Sequence, residues 1–154
     1  MRRALVVVDP TDSSRDLLRE AGELAAGVGA NLIVLSLLTE EAYERDREML
    51  DTIAREERTD YPDESIADYA DRAAAGLADD VLAGIDVEYD PRGVVLDGDD
   101  RGATVVRVAE EAGCDHVFLV GKRRSPTGKA VFGDTAQSVI LNFGGRTTVA
   151  MADE

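Results

Sequence analysis

Val117-Phe118-Leu119-Val120-Gly121-Lys122-Arg123-Arg124-Ser125-Pro126-Thr127-Gly128-Lys129-Ala130-Val131-Phe132-Gly133-Asp134-Thr135 is the stretch whose reading decides the fold. Its first four residues are an apolar run short enough for a buried strand. Beyond it, Ala136, Val139, Ile140 and Phe143 recur at the spacing of one helix face. A glycine-bearing loop between a strand end and a helix start is where α/β folds bind anions, because free backbone N–H groups converge there. The loop holds Lys122, Arg123, Arg124 and Lys129, and so both lysines of a chain whose net charge is -15. A solvated basic loop that offsets local acidity is the competing reading.

The rest of the chain supplies the other layers of such a fold. Ala4 to Val8 is a continuous apolar, β-branched run of the kind found in a parallel strand buried on both faces. Asp9-Pro10-Thr11-Asp12-Ser13-Ser14 follows, with Asp12 or Ser13 as candidate caps for the next helix. Leu17, Leu18, Ala21, Leu24 and Ala25 then repeat at helical spacing, Gly27 and Gly29 close the helix, and Leu32 to Leu38 is a second strand. A right-handed β-α-β crossover makes these two strands parallel. Residues 39–62 are highly charged, with a weak apolar stripe at Ala42, Met49 and Ile53, and read as a helical excursion or a lid that ends at Pro62.

From Ile66 the pattern sharpens again. Ile66, Tyr69, Ala70, Ala73, Leu77 and Val81 define a helix face, which Gly84 ends. Ile85-Asp86-Val87-Glu88-Tyr89 alternates and reads as a third strand. The following loop, 90–101, carries Asp97-Gly98-Asp99-Asp100, which lacks the distal glutamate of a calcium loop and instead offers Asp99 or Asp100 as a helix cap. Val105, Val108, Ala109 and Ala112 face inward on the helix that follows, and Gly113 ends it. His116 opens the fourth strand, and Thr147 to Met151 reads as a fifth. The expected fold is α/β: a single-domain, doubly wound, Rossmann-like parallel five-stranded sheet with helices on both faces, spanning 1–154.

Composition narrows the function. Acidic residues number 32 against 17 Lys and Arg, a surface that repels nucleic acid and anionic membranes alike. Abundant Asp and Glu with scarce lysine is the composition of proteins from salt-loving archaea, whose molar salt screens such self-repulsion. No apolar run is long enough to cross a bilayer and no signal-peptide pattern opens the chain, so a soluble, cytoplasmic protein is expected. The single cysteine, Cys114, excludes an internal disulfide and a Cys-cluster metal site, and it reads as inert packing. One histidine at a strand start makes neither a catalytic triad nor a metal centre, so no catalytic or metal-ligating set is assigned.

Two segments together resemble the universal stress protein family. Its phosphate loop, Gly-x2-Gly-x9-Gly-Ser/Thr, sits between the fourth strand and the last helix, where Gly121 matches the first glycine and Gly133 the last. The second glycine is Arg124 in this chain, the spacer is one residue shorter, and Asp134 stands where Ser or Thr is expected, with Thr135 next to it. Gly128 is a candidate replacement for the missing glycine. Pro10, Thr11 and Asp12 match the family's Pro-Thr-Asp segment, with Ser14 the serine after it, and Leu37 or Leu38 matches a backbone contact to the base.

The resemblance implies an ATP- or other adenine-nucleotide-binding stress-response regulator acting as a homodimer through strand 147–151. Base contacts would come from Pro10, Thr11, Asp12 and Leu37. Phosphates would meet Gly121, Lys122, Arg124, Gly128, Lys129, Gly133, Asp134 and Thr135. Asp134 also reads as an N-cap with Gln137 as its partner, which would occupy the amides a phosphate needs, or as a carboxylate holding phosphate-bound Mg²⁺. The alternative is a family member that has lost nucleotide binding and serves as a dimeric interaction module. No motif positions a catalytic base, so enzymatic turnover would be at most a weak ATPase.

Overall fold

The computed structural model describes residues 1–57, 65–98, 100–123 and 133–153. Five parallel strands form one sheet: β1 (Arg3–Val8), β2 (Asn31–Thr39), β3 (Tyr89–Leu96), β4 (His116–Arg123) and β5 (Arg146–Asp153), in the order β3-β2-β1-β4-β5. The helices between them are α1 (Asp12–Val28), α2 (Glu40–Glu57), α3 (Ile66–Val81), α4 (Arg101–Glu111) and α5 (Asp134–Asn142). One apolar layer joins Ala4, Val6, Val8, Val34 and Phe118 of the sheet to Leu17, Leu18, Ala21, Ala78 and Val81 of α1 and α3. The other joins Leu5, Ile33, Leu35, Val117 and Leu119 to Val105, Val108, Ala109, Ala136 and Val139 of α4 and α5. The α/β sheet with helices on both faces is the one expected, because strands covered on both sides must be apolar at every position.

The winding reverses between β1 and β4. From β1 the chain steps outward to β2 and β3, then returns to β4 and β5 by way of α4. Pairing between β1 and β4 runs only from Ala4 opposite His116 to Val6 opposite Phe118, whereas β4 pairs with β5 from His116 to Arg123. The two central strands thus part toward their carboxyl ends, and that is where open α/β sheets form their ligand crevice.

The third strand departs from the expectation. It is Tyr89–Leu96 and not Ile85–Tyr89. Residues 85–88 lead into it without regular structure, with the Val87 N–H bonded to the Ile85 carbonyl at 3.0 Å. Pro91 and Gly93 made the true strand look like a loop, but β3 is an edge strand, where proline is tolerated. Gly93 lies against the backbone of Ala70 and Asp71, so that no side chain fits there. The close approach also explains α3, whose buried line is Ala70, Ala74, Ala78 and Val81, while Ala73, expected inward, is exposed.

Smaller corrections follow the same logic of local geometry. Gly29, with φ 74°, closes α1, whereas Gly27 lies within it. Leu24 (49% exposed) and Ile140 (43% exposed) were expected on buried faces but lie at their edges. The charged segment 39–62 is helical as α2 through Glu57, its first turn capped by the Thr39 hydroxyl, which accepts from the Ala42 N–H at 3.1 Å. Pro62, the expected end of that excursion, lies outside the described residues. Asp100 caps α4 as expected, accepting from the Ala103 N–H at 3.0 Å, while Asp99 lies outside the described residues.

Candidate functional site

The carboxyl end of β1 runs into an internally bonded turn. Neither Asp12 nor Ser13 caps α1. Thr11 does: its hydroxyl oxygen accepts the Ser14 N–H at 3.3 Å, and its carbonyl accepts the Arg15 N–H at 3.0 Å. The Asp9 carboxylate in turn accepts the Thr11 N–H at 2.9 Å and the Thr11 hydroxyl at 2.5 Å. The Asp9 N–H donates to the Ser14 hydroxyl oxygen at 2.9 Å, and Ser14 is only 1% exposed. Pro10, Thr11 and Asp12 are exposed on the rim of this turn, with Asp12 the first residue of α1.

The partner arm is the end of β4 and the start of α5. Gly121 is buried and Lys122 exposed. Gly133 returns beside them: a methyl group placed on it would stand 3.6 Å from the Lys122 nitrogen. Gly133 is the N-cap of α5, at φ 88° and ψ 154°, a conformation that residues with a side chain avoid. The expected capping by Asp134 does not occur, because Asp134 is already the first helical residue and the cap position belongs to Gly133, which makes no side-chain bond. Gln137 spends its N–H on the Gly133 carbonyl at 3.0 Å. The N–H groups of Asp134, Thr135 and Ala136 precede the first intrahelical bond, which leaves donors at the positive end of the helix dipole.

The fold thus brings Pro10, Thr11, Asp12, Leu37, Gly121, Lys122, Gly133, Asp134 and Thr135 to one edge of the sheet, at the carboxyl ends of β1, β2 and β4 and the entrance of α5. Leu37 is half-buried and paired with Val94 of β3. Arg124, Gly128 and Lys129 lie outside the described residues. Sequence reasoning missed Asp9 and the inward role of Ser14. The available signal was a carboxylate two residues before Thr11, the spacing at which an Asp side chain bonds the backbone ahead of it.

Other chemistry is poorly supported. Burial pushes the Cys114 thiol up to about 11, against the opposing pull of Arg3 and Arg92, so it stays protonated and unreactive at neutral pH. His116 stacks on Phe118 at 4.4 Å and its Nε2 pairs with the Thr148 hydroxyl at 2.7 Å, at the opposite end of the strands. A depression of about 600 Å³ opens there, floored by Phe118 and flanked by Leu24, Val28 and Arg146. Among the described residues no group of three or more His, Cys, Asp and Glu side chains converges to hold a metal, and no helix is long and apolar enough to cross a membrane.

The fold has close counterparts among solved structures. A universal stress protein from Archaeoglobus fulgidus superposes with a TM-score of 0.65 at 22% identity, covering 97% of this chain and 98% of that one. A universal stress protein in complex with cAMP gives 0.65 at 17% identity, covering 97% and 96%. The Archaeoglobus fulgidus universal stress protein in complex with dAMP gives 0.58 at 18% identity, covering 97% of each. No curated protein sequence is detectably similar to the chain. The model of the universal stress protein family matches residues 1–144, and the chain therefore belongs to the universal stress protein family.

Proposed function

We propose that this protein is a single-domain, cytoplasmic adenine-nucleotide-binding regulator of the stress response, taking ATP or a related nucleotide into the crevice between β1 and β4. The observation that carries the proposal is the entrance of α5: a glycine cap that makes no side-chain bond, first-turn amides that precede the first intrahelical bond, and Lys122 alongside. Such an entrance favours anions by both its donors and its dipole. The structures holding cAMP and dAMP share the fold and support an adenine nucleotide as the ligand class. The base would lie toward Pro10, Thr11, Asp12 and Leu37. The phosphates would lie toward Gly121, Lys122, Gly133 and Thr135, with Arg124, Gly128 and Lys129 contributed by the loop. Asp134 is one carboxylate that a phosphate-bound Mg²⁺ would meet.

Thermal unfolding in molar KCl tests this. A nucleotide at 100 times its Kd contributes about 2.7 kcal/mol, which raises Tm by about 5–10 °C for a domain of this size. No shift with ATP, cAMP or dAMP would overturn the nucleotide reading. The second reading, an interaction module without nucleotide, then stands. It is favoured by Asp134 at the α5 entrance and by the Asp9–Thr11 bonds that occupy donors at α1.

We further propose a homodimer through β5, which is an edge strand of the sheet among the described residues. With a net charge of -15 on each copy, the dimer should form in molar salt and dissociate at low ionic strength. Sedimentation at the two salt concentrations measures this, and a monomer in molar salt would refute it.

A further inference from the structure

We infer that α2 is the ionic-strength-sensing element of this protein: it docks against α3 in molar salt and is released as salt falls, while the sheet stays folded.

This helix is held differently from the others. α1, α3, α4 and α5 each bury apolar side chains against the sheet. Of residues 40–49 none is buried, and Met49, part of the expected apolar stripe, is 62% exposed. Aromatic and polar contacts tie α2 to α3 instead. The rings of Tyr43 and Tyr69 meet edge to face at 5.2 Å and 74°. The Tyr69 hydroxyl donates to the Asp46 carboxylate at 3.0 Å, and the Arg72 guanidinium lies over the Tyr69 ring at 5.3 Å. A segment with little buried apolar area opens at a lower free energy than the core beside it.

Charge opposes that docking. Glu40, Glu44 and Glu48 follow one another at the i,i+4 spacing, where like charges repel along a helix, and Glu41 and Asp46 join them against Arg45 and Arg47. The facing end of α3 carries Asp68 and Asp71 with Arg72, so both partners are net negative. In molar salt the Debye length is about 3 Å, shorter than the 5.2 Å between the rings, and the repulsion is screened. At 0.1 M it is about 10 Å, which spans the gap. Glu40 and Glu41 gain from the helix dipole at low salt, but that gain is confined to the first turn. Elsewhere in the chain buried side chains outweigh such repulsion. No side chain of 40–49 is buried to do so, and α2 gives way first.

Amide hydrogen exchange, read by mass spectrometry on the full chain in molar KCl and at about 0.1 M, tests this. Exchange in 40–49 should accelerate about tenfold or more at the lower salt, with β1 and β4 unchanged. Glu44→Lys turns two repulsions, with Glu40 and Glu48, into attractions, and should restore most of the slow exchange at low salt. Tyr69→Phe keeps the ring but removes the bond to Asp46, and should speed exchange in α2 already in molar KCl; unchanged exchange there would refute the docking. Acceleration of α2, β1 and β4 together would mean global unfolding and overturn the inference. So would exchange in α2 that is the same at both salts, whether fast or slow. A low-salt acceleration in Glu44→Lys equal to that of the wild type would overturn it as well, because salt would then act otherwise than through the charges of α2.

Discussion

Replacing Gly133 by alanine isolates the backbone requirement at the entrance of α5. The new methyl would have room, 3.6 Å from the Lys122 nitrogen and 3.8 Å from its Cβ. The cost therefore comes from torsion alone. At φ 88° and ψ 154° the residue occupies a region that is essentially restricted to glycine, worth about 2–3 kcal/mol against any other residue. Alanine also restricts the unfolded chain, which returns about 0.4–1 kcal/mol. A net destabilisation of about 1–2.6 kcal/mol is expected.

Gly29 is the internal comparison. It caps the carboxyl end of α1 at φ 74° and ψ 25°, a left-handed conformation that alanine reaches at about 1 kcal/mol, so its net loss should be about 0.5 kcal/mol or less. Urea unfolding in constant molar KCl measures both variants. Gly133→Ala should also bind nucleotide more weakly, because relieving the strain turns the first amides of α5 away. A Gly133→Ala loss equal to or below that of Gly29→Ala would refute the reasoning, since the α5 entrance would then not depend on its glycine.

Asp134→Ser should strengthen ATP binding about two- to fivefold by removing a carboxylate from the α5 entrance, while costing α5 a few tenths of a kcal/mol. Lys129→Ala and Arg124→Ala should each weaken binding, and unchanged calorimetric affinity in all three variants would end the loop hypothesis. Burial holds the His116 imidazole below its ordinary 6.5; Asp115 opposes the shift, whereas the amino terminus and Arg146 add to it. The unfolded state thus takes up the proton first. The His116 contribution is complete above 6.5 and is lost as pH falls below it, so Tm between pH 7.5 and 5 should fall less steeply in His116→Gln than in the wild type. Gly93→Ala would drive a methyl into the backbone of Ala70 and Asp71, which no rotamer change relieves, and should cost at least about 1–3 kcal/mol by urea unfolding.

The parts of this protein legible in its sequence are those governed by local periodicity and burial. Ala4–Val8 and Val117–Val120 are apolar at every position because both faces of the sheet are covered, and that pattern survives without knowledge of the partner strands. That Pro10-Thr11-Asp12 and Gly121 stand at the carboxyl ends of strands was equally legible, since both follow apolar runs. Ile85–Tyr89 misled because alternation alone does not reveal whether a neighbouring strand accepts the pairing, and β2 pairs with the Pro- and Gly-bearing segment after it.

The caps were decided only in three dimensions. Asp12 and Asp134 are good capping residue types, yet in each helix the cap falls one residue earlier, at Thr11 and Gly133. The frame is set by where β1 and β4 deliver the chain relative to the packed faces of α1 and α5, and one residue of frame exchanges a cap for a first-turn carboxylate. Composition and periodicity therefore determined the layers and the strand count. Tertiary packing alone decided that Asp9 would be bonded to Thr11 and that a glycine would cap α5, because those outcomes depend on distances between elements that no spacing within one element encodes.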